Sequence, residues 1–141
     1  MILQSILLWL LGGLVGGMLF FALAVAPTVF RALPAEHAGA FLRAMFPRYY
    51  FWGLVAAILA TMLALFARAD SAVTIACAIV TLMFVYARQQ LMPAINRARD
   101  ARLGGDEDAA GRFRRLHGLS VFANLAQLLL LIAATARLIW V

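Results

Sequence analysis

Residues 2–30 read ILQSILLWLLGGLVGGMLFFALAVAPTVF, a stretch with no charged side chain, dominated by Leu, Val, Ala, Phe and Gly. At ~1.5 Å of rise per residue a helix needs about 20 residues to cross ~30 Å of hydrocarbon, so this run spans a bilayer with residues to spare. A secretory signal is the rival reading, since Ala22-Leu23-Ala24 and Ala24-Val25-Ala26 have the look of cleavage sites. No basic residue precedes the run and it is too long for a signal peptide, so it reads as a spanning helix.

The rest of the chain agrees. Of its 141 residues 66% are hydrophobic and 13% charged, with a mean hydropathy of +0.96. A soluble domain is nearer half apolar and a quarter charged, so this composition excludes an ordinary soluble enzyme, a disordered chain and a disulfide scaffold. Further spans run from about Tyr49 to Ala67, Ser71 to about Gln90 and about Leu116 to Trp140, making 1–141 a single transmembrane domain. The fold class is all-α: an integral membrane four-helix bundle.

Every cation is an arginine, 12 against 6 acidic residues. Arg31, Arg43 and Arg48 lie between spans one and two, and Arg88, Arg97, Arg99, Arg102, Arg112, Arg114 and Arg115 between spans three and four, whereas only Arg68 and Arg137 lie at the other face. By the positive-inside rule both basic loops face the cytoplasm and both termini face out. The expected surroundings are a lipid bilayer, and nucleic acid is not an expected partner. Tyr49, Tyr50, Trp52, Tyr86 and Trp140 fall at headgroup levels in this arrangement.

In the first basic loop Ala38, Phe41, Leu42 and Met45 share one helical face, which predicts a short interfacial helix opened by Pro34 and separated from span two by Pro47. Gly104-Gly105-Asp106-Glu107-Asp108 is a turn between two basic extensions, Ile95 to Leu103 and Ala109 to Leu116. Pro27 and Pro93 bend or end spans one and three, and Asp70 caps span three. No internal repeat stands out beyond shared hydropathy.

Gly12/Gly16 and Gly13/Gly17 form two overlapping small-xxx-small patterns, and Gly53, Ala57, Ala60, Ala64 and Ala67 form a small stripe on span two. These seams either pack on each other or join two copies of the chain. The sharpest polar signal is on span four, where His117, Ser120, Asn124 and Gln127 line one face. Lipid does not accept such a stripe, so it faces protein or water. It either fixes helix register, with Asn124 and Gln127 bonded to span three, or builds a ligand site. Thr74, Cys77, Thr81 and Arg88 form a matching seam on span three. Arg114 and Arg115 beside His117 favour a neutral imidazole, a metal ligand that Met45 and Met92 at the same depth would complement as soft donors. Met in a membrane core is, however, ordinarily packing. No nucleophile with a base, carboxylate pair or phosphate-cradling glycine loop can be assembled, so no catalytic residue and no cofactor is assigned, and a non-enzymatic role is expected.

Taken in order, Gly16-x3-Phe20, Ala26-Pro27-x-Val29-Phe30-Arg31, Ala38-Gly39-x6-Phe46-Pro47-x-Tyr49-Tyr50, Arg88-x4-Pro93-x-Ile95-Asn96, Phe113-x2-Leu116-His117-x2-Ser120 and Asn124 resemble the transmembrane protein 205-like family of small four-helix membrane proteins. The resemblance covers nearly the whole chain. It implies the four-helix fold and a polar cluster at the cytoplasmic helix ends built from Pro27, Arg31, Arg88, His117, Ser120 and Asn124. The eukaryotic relative's association with resistance to platinum drugs points to traffic of soft metals. The chain is more distantly similar to copper resistance protein D and to the four-helix protoporphyrinogen oxidase, but lacks histidines deep in its first helices. Three functions follow as expectations: a cytoplasm-facing polar pocket for a small ligand, metal or lipid headgroup; a haem- or copper-dependent redox protein; and a structural or assembly subunit.

Overall fold

The computed structural model describes residues 2–140, and across them the chain forms four helices: α1 (Ile2–Ala32), α2 (Ala35–Phe66), α3 (Ser71–Leu103) and α4 (Glu107–Trp140). All four are long and apolar enough to cross a membrane, as the hydropathy pattern requires. They run up-down-up-down, with α1 packed on α2, α2 on α3, α3 on α4 and α4 back on α1. This is a multi-pass membrane protein.

A 34-residue helix is about 50 Å long, well beyond the ~30 Å of hydrocarbon. The arginines assign that excess to the end where α1 and α3 finish and α2 and α4 begin, here the basic end. There the two basic extensions continue α3 and α4 without a break, and Gly105 turns the chain between them with φ +93°. Asp106 starts α4 by accepting from the Ala109 amide at 3.1 Å, and the Arg112 guanidinium at 2.7 Å holds its carboxyl below the usual carboxylate range. At the opposite end Asp70 accepts from the Ala72 amide at 2.9 Å, capping α3 as expected.

The separate interfacial helix is not found. Its residues are helical, but α2 passes through Pro47 unbroken, so they are the first turns of span two. Pro47 leaves one carbonyl of the preceding turn without its amide partner, a loss that α2 absorbs near an end rich in side-chain donors. One turn on, the Arg48 guanidinium donates to the Ala44 carbonyl at 2.7 Å.

Pro27 and Pro93 do not end their helices either. Each follows a π-turn, Phe21–Val25 in α1 and Ala87–Leu91 in α3, and the helix then resumes. The Ala26 amide reaches back to the Phe21 carbonyl and the Met92 amide to the Ala87 carbonyl, so the extra residue shifts the hydrogen-bond register just where proline lacks a donor. This shared device exposes a repeat that hydropathy hides. Pro27-x-Val29-x-Arg31-Ala32 matches Pro93-x-Ile95-x-Arg97-Ala98, and Ala38-Gly39-x-Phe41-x-Arg43 matches Ala110-Gly111-x-Phe113-x-Arg115. The two hairpins thus carry the same residues and the same π-turn at corresponding positions.

The core is a seam of three- and four-residue spacings: Leu7, Leu11, Leu14 and Met18 on α1, Ala57, Ala60 and Ala64 on α2, Val73, Cys77, Val80 and Phe84 on α3, and Leu131 and Ala134 on α4. Lipid is as apolar as these side chains, so close packing rather than expulsion of water holds them together. Small residues of α2 admit the larger ones opposite: a Cβ on Gly53 would sit 2.5 Å from the Phe84 ring. Outward residues such as Trp9, Leu23, Leu82 and Phe122 are exposed, as acyl-chain contacts require.

The other glycines behave differently. A Cβ on Gly12, Gly13, Gly16 or Gly17 meets nothing within 4 Å, so no helix backbone approaches that face inside the chain. The two small seams therefore do not close on each other. Gly13, Gly17 and Gly53 instead border a groove of about 290 Å³ between α1 and α2.

Candidate functional site

Between the projecting ends of the helices lies a cleft of about 400 Å³. Three helical stripes build its walls. Gly39, Leu42, Phe46 and Tyr50 lie along α2, Met92, Asn96 and Arg99 along α3, and Phe113, His117 and Ser120 along α4, each at spacings of three and four residues that keep one face turned inward. Phe30 of α1, Arg43 and Arg102 complete the rim.

The floor is a polar network. Tyr50, 3% exposed, shares a hydrogen bond with the Ser120 hydroxyl at 3.3 Å. Asn124 donates to the Tyr50 hydroxyl at 3.4 Å and to the Ser120 carbonyl at 3.1 Å, and accepts from the Tyr49 hydroxyl at 3.5 Å. The α4 stripe thus bonds to α2, and not to α3 as the register-fixing alternative has it. On α3, Thr81 turns to α2 as well, with its hydroxyl 3.1 Å from that of Thr61. Gln127 ends the stripe, fully buried, with neither amide atom bonded to any described residue. Phe21, Phe46, Tyr49 and Tyr50 pack ring against ring beneath the cleft, with centroids 4.7–6.2 Å apart, which fixes the tyrosines.

The charge on the walls is positive. Arg43 grips Asp100 with both terminal nitrogens, at 2.6 and 2.9 Å, tying α2 to α3. Arg99 makes a second tie, donating to the Gly39 carbonyl at 2.6 Å. Arg102 lies over the Phe113 ring at 4.9 Å, and that ring stacks on His117 with centroids 5.9 Å apart. Neither Arg99 nor Arg102 is in an ion pair among the described residues, and the cleft walls carry no Asp or Glu. Such forked donors suit carboxylate or phosphate oxygens.

Of the six residues expected to form the site, His117 and Ser120 line the cleft and Asn124 holds its floor. Pro27 and Arg31 do not line it, and Arg88 lies over the Phe51 ring at 5.5 Å instead. Arg88 is the second residue of the α3 π-turn, and the residues beyond that turn, from Met92 onward, supply the α3 wall of the cleft instead. Of the soft donors Met92 lines the cleft with His117, and Met45 does not. Sequence reasoning missed Tyr50, Asn96, Arg99 and Arg102. The signal was present in the Met92, Asn96, Arg99 spacing, which repeats on α3 the i, i+4, i+7 pattern of Phe113, His117 and Ser120.

No curated protein and no solved structure matches the chain. A family model does match, over residues 9–103, which takes in α1, α2 and α3 and leaves the α4 wall of the cleft outside. By that match the chain belongs to the family described as a domain of unknown function, DUF4149.

Proposed function

We propose that this membrane protein is a non-enzymatic binding protein whose basic-end cleft takes a small anionic ligand from the cytoplasmic side. The observation that carries the reading is a pair of arginines, Arg99 and Arg102, on the walls of a cleft lined by no acidic residue, neither of them in an ion pair among the described residues, while the neighbouring Asp100 is gripped by Arg43. Two positive charges facing one cavity repel unless an anion sits between them. His117 adds a group that donates or accepts, and Ser120, fixed by Tyr50, adds a hydroxyl at the floor. The volume of about 400 Å³ falls within the ~300–1,000 Å³ of small-molecule sites.

The cytoplasmic orientation follows from the positive-inside rule applied to ten arginines at the basic end and two at the other. The same orientation, in a bacterial inner membrane, accompanies the resemblance to the transmembrane protein 205-like family.

Native mass spectrometry of the protein released from mild detergent tests this reading. An anionic adduct is expected on the wild-type chain and on Arg88→Gln, and its loss on the Arg99→Gln/Arg102→Gln double variant. An adduct that survives the double variant, or a bare wild-type mass, overturns it.

A further inference from the structure

Arginine forks explain an anion but not the rest of the cleft. Between and below Arg43, Arg99 and Arg102 its walls are Leu42, Phe46, Met92, Ile95 and Phe113, with Phe30 at the rim. A small hydrophilic anion gains nothing from such walls, whereas an apolar chain gains at every carbon it removes from water. Met92 and Leu42 are half-buried and line the cleft, and Phe30 is 62% exposed at the end of α1. Both properties lie in one cavity, at the basic end of the bundle.

We propose that the cleft binds an anionic amphiphile: a phosphate-type headgroup held by Arg99 and Arg102, joined to an apolar chain that lies on Leu42, Phe46, Met92 and Ile95. This rests on the reading of the cleft as an anion site and names the class of anion. Arg99 occupies the centre of the device, because its donation to the Gly39 carbonyl leaves the other guanidinium nitrogens for the ligand. Arg102, flat on Phe113, presents its charge beside the same wall. The chemistry has two sources, an anionic phospholipid of the surrounding leaflet or a soluble single-chain phosphate.

The experiment uses the full chain in nanodiscs of zwitterionic lipid, titrated with methyl, butyl and octyl phosphate, with Arg99→Gln discs as the reference for partition into lipid. Each methylene buried is worth about fourfold in affinity, so octyl phosphate is expected to bind at least ~100-fold more tightly than methyl phosphate in the Arg99-dependent part of the signal. Equal affinity along the series, still dependent on Arg99, overturns the amphiphile and leaves the anion site standing. Binding of every phosphate that is indifferent to both Arg99→Gln and Arg102→Gln overturns the anion site itself. Should Arg99→Gln fail to fold, Gly39→Ala displaces the same guanidinium and serves in its place. Repeating the titration in discs containing phosphatidylglycerol separates the sources: a tenfold or greater loss of octyl phosphate affinity identifies the bilayer lipid as the occupant, and unchanged affinity identifies a soluble amphiphile.

Discussion

The Arg99 guanidinium donates to the Gly39 carbonyl at 2.6 Å and fills the space that a side chain at position 39 would need. This contact joins the first turns of α2 to the last turns of α3 across the cleft, and it works only because residue 39 ends at its Cα. The colliding partner is the far end of a flexible side chain, so a methyl at 39 moves the guanidinium without moving the backbone. Gly39→Ala is therefore expected to reproduce the ligand-binding defect of Arg99→Gln while changing thermal stability little. Alkyl phosphate titration beside a melting curve checks both halves, and full binding by Gly39→Ala would show that Arg99 does not need its present position.

What could be read from the sequence divides along a physical line. Hydropathy depends on composition over about 20 residues, so the four spans from Ile2 onward, the Asp70 cap and the turn at Gly104-Gly105 were visible. Side-chain direction depends on accumulated helical phase, and one inserted residue turns it by about 100°. The resemblance puts Arg88 at the cleft, whereas the structure holds it over Phe51 at the start of the π-turn, and Arg99, beyond that turn, reaches the cleft wall. The Pro47 boundary failed for a related reason, since proline in a membrane helix marks a strained turn more dependably than an end. Tyr50 read as an interface aromatic because nothing local says that its ring turns inward to meet Ser120.

The buried amide of Gln127 gives a second prediction. With both polar atoms unbonded among the described residues, it carries a desolvation cost of about 1–3 kcal/mol. The membrane-unfolded state also finds partners for an amide, which trims the difference. Gln127→Met, of similar length and without polar amide atoms, is expected to raise the unfolding free energy by about 1 kcal/mol, measured by titration with denaturing detergent in mixed micelles. A loss of stability in that variant would mean that the amide is satisfied in the membrane.

At the end opposite the cleft, Arg137 donates to both oxygens of Asp70, at 2.6 and 3.1 Å, while Asp70 also caps α3. The Arg137 guanidinium is the largest influence and, with the Ala72 amide, holds the Asp70 carboxyl below its ordinary range even though desolvation opposes them. A carboxyl lowered on folding stabilises fully above its unfolded value, ~3.9, and that contribution disappears as pH falls through the lower folded value. The wild type is thus expected to lose melting temperature on acidification below about pH 4, and Asp70→Asn to show a shallower acid limb. At neutral pH Asp70→Ala, which removes the cap as well as the charge, is expected to melt below Asp70→Asn, whose side chain still caps. Parallel acid limbs in wild type and Asp70→Asn would assign the acid sensitivity to other carboxylates.

Gly16 and Gly53 belong to small-residue seams that look alike in sequence and differ in surroundings. A methyl on Gly53 meets the buried Phe84 ring at 2.5 Å, an overpacking that costs about 1–3 kcal/mol. A methyl on Gly16 meets nothing within 4 Å, and alanine is the better helix former by up to ~1 kcal/mol, so Gly16→Ala is expected to be neutral or stabilising in the isolated chain. The comparison becomes informative with a larger residue. Gly16→Leu is expected to leave the single chain folded, because nothing of this protein lies within 4 Å of the position its Cβ would take. If two copies associate through this face, Gly16→Leu abolishes the cross-linked dimer in membranes while Gly53→Ala lowers stability and leaves the dimer population in proportion to folded protein. Equal cross-linking of wild type and Gly16→Leu would show that the open glycine face meets lipid, and that no second copy packs there.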